Sequence, residues 1–422
     1  SMAKKNNNIH EITINIEGED WKKALDESFK KKVKNVTIDG FRKGKCPRNI
    51  YDKKVGVETL FDGAADSVLQ TAYTKAIEEA KVVPVIPAEV ELTEIDETHV
   101  TFKFVITSRP EVTVKNYKGL GVKEEKAEVT DEKIEEEVKK LLDKYAELVI
   151  KEDGSVETND LVTIDYEGFL GSKAFEGGKG ENYPLQIGSG TFIPGFEEQL
   201  IGMKREEERE IKVTFPEDYH EASLKGKEAT FKVKVHEIKT KEKRELDQDF
   251  FDDLALEGVN DEATLKEEVK KNILAQKEME NENIYIDKLL SEVAKNVEVD
   301  IPEGMVTEET TRLLKRAEQS MMMQGLNLDL YYQITGQKEE DLRAQLKDEA
   351  YQNVLYRLML EEITKLEKIE VSLDDAKKEA KELAAKYQMA EEDFLKEFGG
   401  LDMVQYDLEM RRTLERLKEL NK

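Results

Sequence analysis

Gly40-Phe41-Arg42-Lys43-Gly44-Lys45-Cys46-Pro47 is the stretch on which the reading of this chain turns. Arg42, Lys43, Lys45 and the nearby Arg48 put four positive charges within seven residues, and no acid lies between Gly40 and Tyr51. Gly40 and Gly44 admit backbone angles that other residues avoid. Pro47 stiffens the exit into the next segment. Arginine offers a planar fork to carboxylate or phosphate, and lysine a mobile point charge. Phe41 adds one ring suited to a partner's pocket. Taken alone, so short a basic run is as readily a solvated surface turn, and its setting must decide.

The setting is acidic. The 422 residues are 38% hydrophobic and 38% charged, with a net charge of −27. Apolar residues still recur at regular spacing, so disorder is not the reading. Several domains are expected, with long exposed helices that bury little core per residue. Residues 1–110 carry 18 basic and 18 acidic side chains, so the whole negative charge falls on residues 111–422. Such a body repels nucleic acid at long range, whereas a neutral N-terminal part with a basic loop can approach RNA or protein. Cys46 is the one cysteine. It excludes an intramolecular disulfide, suits a reducing compartment and reads as a filler in the loop. No apolar run reaches the ~18 residues of a membrane span. Ser1 to Asn8 lacks a signal-peptide apolar region, and Ser1 ahead of Met2 reads as a cloning remnant. A soluble cytoplasmic protein without membrane contact is expected. His10, His99, His220 and His236 show no metal-ligand spacing. With no Walker loop or dinucleotide fingerprint either, no cofactor is expected.

Periodicity divides the chain. Ile12, Ile14 and Ile16 alternate with polar residues as in a half-buried strand. Asp20 then reads as the cap of a helix to about Val33, with Trp21, Leu25 and Phe29 inward. A second helix is expected over Val57–Lys81, facing inward with Leu60, Ala64, Val68, Ala72 and Ile77. Strands Glu89–Ile95 and Val100–Thr107 turn at Asp96-Glu97-Thr98. Residues 1–110 therefore read as an α+β domain whose basic loop joins two helices. Residues 111–150 form a linker and a helix from Thr130, with a stripe at Ile134, Val138, Leu141, Tyr145 and Leu148. Residues 151–240 read as β-rich, with strands Leu161–Tyr166, Arg209–Thr214 and Ala229–Ile238 between glycine-rich turns. Residues 241–422 read as all-α. Stripes run through Tyr351, Leu355, Met359, Ile363 and Leu366, and through Met403, Tyr406, Met410, Leu414 and Leu417. Breaks are expected at Gly304, Gly325, Gly336 and Gly399-Gly400.

The octapeptide has the form G-F-R-x-G-K-x-P and resembles the ribosome-docking loop of the trigger factor family. The resemblance gives Gly40, Phe41, Arg42, Lys43, Gly44, Lys45 and Pro47 to ribosome binding. Val162-Thr163-Ile164-Asp165-Tyr166-Glu167-Gly168 opens like an FKBP-type prolyl isomerase. Ala174-Phe175-Glu176-Gly177-Gly178, Ile187-Gly188-Ser189-Gly190 and Phe192-Ile193-Pro194-Gly195-Phe196-Glu197 continue it. Phe215-Pro216-Glu217-Asp218-Tyr219-His220 and Leu224-Lys225-Gly226-Lys227 complete the form seen in trigger factors. By this resemblance Tyr166, Phe175, Tyr183, Phe192, Ile193, Phe196, Tyr219 and Phe231 line a catalytic pocket. Phe196 is its floor, and Tyr219 donates to the substrate backbone. Phe196 stands where smaller FKBPs carry tryptophan. Glu176 replaces their aspartate, which leaves it a structural or weak role.

The family implies a multidomain, ATP-independent chaperone that holds nascent and unfolded chains at the ribosomal exit tunnel and isomerises X–Pro bonds. Ribosomal proteins and rRNA are the implied docking partners, and the family allows a homodimer off the ribosome. It also implies that residues 111–150 run back along the body, so that their stripe packs on much later helices. Two other functions fit the same residues: a binding-only chaperone with an inactive pocket, and a dedicated prolyl isomerase. Met321-Met322-Met323 is a candidate client surface together with Leu313, Leu314, Leu326, Leu328 and Leu330, because methionine adapts to varied partners. Buried helix packing is the competing reading of that cluster.

Overall fold

The structure, a computed structural model, describes residues 7–422, so the readings of Ser1 and Met2 lie outside the described residues. The chain forms two compact units. The first contains the chain up to Glu124 together with Asn283–Lys422, and the second is Glu125–Glu282.

The N-terminal part of the first unit opens with β1 (Ile9–Glu17) and α1 (Gly18–Lys32). Trp21, Ala24, Leu25 and Ser28 are buried at i, i+3, i+4 and i+7, which is the face a helix can bury. Acids in its first turn and Lys30, Lys31 and Lys32 in its last match the helix dipole. The helix starts two residues before the expected cap, so Asp20 acts on the dipole from within the first turn. After a 3-10 turn at Val33–Asn35 come the loop and α2 (Arg48–Tyr51). The expected helix from Val57 is a 3-10 turn over Val57–Leu60, followed by α3 (Phe61–Ala80). Thr59 Oγ1 donates to Gly56 O at 2.7 Å and shares a hydrogen bond with the Tyr51 hydroxyl, which tightens that turn. Strands β2 (Glu89–Ile95) and β3 (His99–Thr107) complete an antiparallel sheet in the order β1-β3-β2. Ile14 and Ile16 pair with Phe102 and Val100 on one face, which closes over Trp21, Leu60 and Ala72. Strand β4 (Val112–Val114) follows.

The second unit begins with α4 (Asp131–Lys144), capped by Thr130, whose hydroxyl accepts from Lys133 N at 3.2 Å. Five strands follow: β5 (Leu148–Ile150), β6 (Leu161–Leu170), β7 (Lys173–Gln186), β8 (Glu208–Thr214) and β9 (Glu228–Lys241). They pair in the order β5-β9-β6-β7, with β8 also on β9. Alternation along β6 and β9 turns Val162, Ile164, Val233 and Val235 into one core. Helices α5 (Gln248–Leu254) and α6 (Glu262–Ala294) come next. Ile134 and Val138 pack on Phe250, Phe251, Leu265 and Val269, a small second core. Leu148 leaves the expected stripe, because the helix ends at Lys144 and Leu148 lies exposed in β5. Strand β7 is absent from the sequence reading, since Gly177, Gly178 and Gly180 hide its alternation.

The division between the units falls within α6, and the chain continues in the first. Strand β10 (Val297–Val299) pairs antiparallel with β4, a strand within the expected helical region. Helices α7 (Glu303–Met323), α8 (Leu328–Thr335), α9 (Glu339–Leu366), α10 (Leu373–Lys386), α11 (Glu391–Phe398) and α12 (Leu401–Leu420) follow. Leu289, Val293, Val354, Leu358, Met359, Ile363 and Leu417 form the main core with Val112 and Val114. The segment 111–150 is thus divided: its first part belongs to this core and its helix to the second unit. The expected stripes hold at Met359, Ile363 and Leu417, which are buried, and slip at their ends. Tyr351, Leu366 and Met403 are exposed, while Val354, Leu358 and Val404 face inward, because α9 and α12 each meet neighbours on more than one side. Gly304 is no break. It lies in the first turn of α7, where a Cβ would stand 2.6 Å from Ile86 Cδ1, so it permits close packing. The expected classes, N-terminal α+β, β-rich middle and helical C-terminal part, are all present.

A buried ion pair ties the start of the β-rich part together. Lys151 Nζ donates to Asp160 Oδ2 at 2.9 Å, and Asp160 also accepts from Glu157 N at 2.9 Å. Burial pushes the Asp160 carboxyl up, but the Lys151 ammonium and the Glu157 N–H outweigh it and hold it below its ordinary value. A depressed carboxylate pKa stabilises the fold above the unfolded value of about 3.9 and loses that contribution as pH falls through the folded value. Asp160→Asn should therefore cost about 3 kcal/mol at pH 7 and show a shallower loss of stability below about pH 4 than wild type. Denaturant unfolding across pH checks both.

Candidate functional site

The basic loop is shaped by its own backbone. Phe41 N donates to Ile38 O, Gly44 N to Val36 O and Lys45 N to Arg42 O, at 2.9–3.0 Å. Gly40 and Gly44 take φ of 92° and 78°. A Cβ at Gly44 would meet the Lys34 backbone at 3.3 Å, so chain reversal here favours glycine twice over. Cys46 is no filler, because its side chain is buried in the N-terminal core and anchors the loop from within. Arg42, Lys43 and Lys45 are exposed, and among the described residues none has an acid partner. Phe41 is exposed beside them. Arg48 differs from the sequence reading: it pairs with Asp26 at 2.5 Å and Asp52 at 2.9 Å, which leaves three free cations in the run.

The aromatic residues of the β-rich part converge. Tyr166 on β6 meets Tyr183, Phe192, Phe196 and Phe231 with ring centroids 5.3–6.3 Å apart. Phe196 lies 4.7 Å from Phe192 and 5.1 Å from Phe231, mostly edge to face, the arrangement ring quadrupoles favour. Phe196 is 1% exposed, Tyr183 is 38% exposed, and Tyr166, Phe175, Phe192, Ile193 and Tyr219 are half-buried. The cluster thus has a closed floor and an open rim. Burial, and then the neighbouring Tyr183, push the Tyr166 phenol up, so it is a neutral donor at pH 7. A neighbouring groove of about 460 Å³ is lined mainly by charged side chains, among them Asp165, Glu167, Lys179, Glu181, Lys232 and Lys234, and it touches the aromatic cluster through Tyr166. Glu176 is exposed.

Two residues went unassigned in the sequence reading. Phe215 is buried, 5.9 Å from Phe175 and 4.9 Å from Tyr219, and it links Tyr219 to the other rings. The alternation Ile211, Val213, Phe215 carried that signal. Glu197 is buried and accepts from Phe192 N at 3.2 Å.

Met321-Met322-Met323 ends α7. Met321 is half-buried, while Met322 and Met323 are 62% and 91% exposed, so helix packing does not hold the last two. Leu330 and Ile334 on α8 are exposed as well. Leu313 and Leu314 turn inward and are packing residues. Among the described residues no three His, Cys, Asp or Glu side chains converge as metal ligands, and no helix is long and apolar enough to cross a membrane.

Comparison with known proteins agrees with this geometry. Residues 1–141 match the family described as bacterial trigger factor protein, and residues 263–419 match its C-terminus. Residues 152–236 match FKBP-type peptidyl-prolyl cis-trans isomerase. The chain is 47% identical to trigger factors of Anoxybacillus flavithermus and Geobacillus kaustophilus over 412 residues, 97% of this chain and 96% of each relative. It is 44% identical to that of Bacillus subtilis over 409 residues, with 97% and 96% covered. The chain belongs to the trigger factor family. It is a ribosome-associated chaperone with an FKBP-type peptidyl-prolyl cis-trans isomerase domain, and its clients are unfolded nascent chains.

Phe196 at the closed floor generates a test. Phe196→Ala should remove most isomerisation of an X–Pro tetrapeptide and lower stability by about 3–5 kcal/mol. Phe196→Leu, which retains bulk, separates the two effects: it should keep the fold and still lose activity. Wild-type activity should stay nearly flat from about pH 6 to 8, because twisting the imide calls for no titrating acid or base. Protease-coupled or refolding assays measure all three.

Proposed function

We propose that the loop Gly40–Pro47 is the docking element and that it binds beside the polypeptide exit tunnel. Phe41 fills a hollow on a ribosomal protein. Arg42, Lys43 and Lys45 pair with its carboxylates and with rRNA phosphates, while Gly40, Gly44 and Pro47 hold the turn. Three free cations around an exposed ring, rigidly braced, carry this reading. An otherwise acidic chain leaves this face as its approach to a polyanionic particle.

The isomerase pocket is assigned to Tyr166, Phe175, Tyr183, Phe192, Ile193, Phe196, Tyr219 and Phe231. An X–Pro bond rotates over a barrier of about 20 kcal/mol because the imide C–N bond is partly double. Twisting removes that resonance and its charge separation. A water-poor aromatic wall therefore binds the twisted imide better than the planar one, which is what lowers a barrier. The closed floor at Phe196 supports this, and the half-open rim admits a chain segment. Tyr219 donates to the substrate backbone. No nucleophile or cofactor is required.

Clients are held by exposed apolar side chains of the helices, with Met322, Met323, Leu330 and Ile334 as one patch and Met321 at its edge. Side chains kept free for clients can also cover one another, so pairing into a homodimer off the ribosome belongs to the same reading. Residues 1–110 dock, 151–240 isomerise, and 241–422 with 111–150 hold the client. The cytoplasm is the assigned compartment, consistent with one buried thiol.

Substituting Phe41, Arg42 and Lys43 together by alanine should abolish co-sedimentation with ribosomes. The melting temperature and tetrapeptide isomerisation should stay unchanged, since exposed substitutions shift stability by about 0.5 kcal/mol or less. Wild-type binding should weaken as salt rises. Full ribosome binding by the triple variant would overturn the assignment.

A further inference from the structure

Glu197 is 4% exposed, and among the described residues no basic side chain pairs with it. A buried carboxylate without a cation is costly unless donors surround it. Here they do. Oε1 accepts from Gly188 N at 2.9 Å, Ser189 Oγ at 3.2 Å and Gly190 N at 3.3 Å, and Oε2 accepts from Phe192 N at 3.2 Å. Both carboxylate oxygens are thereby engaged, Oε1 by three donors and Oε2 by one. All four come from one stretch, residues 188–192, which turns through Gly188 (φ 93°) and Gly190 (φ 73°). Regular secondary structure does not hold this stretch. The carboxylate replaces the ladder that a strand would provide. Phe192, whose amide it fixes, carries the ring 4.7 Å from Phe196 and 5.3 Å from both Tyr166 and Tyr183.

We propose that Glu197 is the positioning residue of the isomerase pocket: its buried carboxylate gathers the 188–192 loop and thereby sets the Phe192 wall against the twisted imide. The proposal rests on the reading of the aromatic cluster as that pocket. Glu197 touches no substrate and acts through Phe192. Glutamine has the same shape but only one accepting oxygen, and its amide would point a donor at a donor. Aspartate keeps the charge but falls short of the loop.

The test uses the full chain. In Glu197→Gln, kcat/KM for an X–Pro tetrapeptide should fall tenfold or more, because an ångström of misplacement in a site costs up to about 100-fold. Amide hydrogen exchange should quicken at Gly188, Gly190 and Phe192 while Ile164 and Val235 in the sheet stay protected. Glu197→Asp should recover part of the activity. Wild-type kcat/KM in Glu197→Gln, unchanged protection of the loop amides, or exchange quickened uniformly across the sheet would each overturn the proposal. The last would make Glu197 a stabilising residue only. Should Glu197→Gln fail to fold, Ser189→Ala decides, since it removes one of the four bonds. A several-fold loss with faster Gly190 exchange supports the proposal, and wild-type behaviour overturns it. Phe196→Leu is the control: if it keeps full activity, the pocket reading fails, whatever Glu197 does.

Discussion

Hydrophobic residues make up 38% of this chain and charged residues as many, so it cannot gather its apolar surface into one large interior. Burial instead is parcelled into several small cores, each closed by a few large side chains. Trp21, Tyr51 and Phe104 close the N-terminal core, Phe196 and Phe231 the β-rich one, and Leu289, Met359 and Leu417 the main helical one. Alanines on α10 and Phe394 on α11 close a further small core. Small cores leave much of each helix uncovered, and that surface is where the exposed Met322, Met323, Ile334, Tyr387 and Met403 come from. Constraint and function meet here: a chaperone needs apolar side chains in water, and a net charge of −27 helps keep such a chain soluble.

The two proposed recognition sites solve opposite problems. The basic loop must be wet and charged, so its ring and cations are exposed and only Cys46 goes inward. The proposed aromatic pocket must be dry, so its floor is closed and both oxygens of the buried Glu197 carboxylate accept from N–H or O–H donors. As proposed, neither site moves a titrating proton, so rigid placement would carry the chemistry in both.

Much of this was legible in the sequence, for reasons that differ by element. Period-two alternation exposed β1, β3, β6 and β9, and the aromatic motifs marked eight residues, assigned here to the pocket, that the fold brings into one cluster. Local patterns failed where several neighbours compete. Helices α9 and α12 pack on more than one side, so period alone caught Met359, Ile363 and Leu417 but also turned the exposed Tyr351 and Met403 inward. Strand β7 was hidden by glycines, and Gly304 read as a break because close packing against Ile86 depends on a residue over two hundred positions away. The charge of Arg48 looked free until the fold brought Asp26 to it. Glu197 was quoted within a motif, yet its four donors are visible only once the loop closes around it.

If burial is parcelled in this way, the isomerase core is dispensable to the chaperone surfaces. The direct measurement is light scattering of a denatured client that refolds independently of proline isomerisation, diluted into the chain lacking residues 155–238. The account predicts that most aggregation suppression remains, with full helical circular dichroism and no isomerase activity. Loss of suppression while the helices stay folded would contradict it and place client holding in the β-rich part.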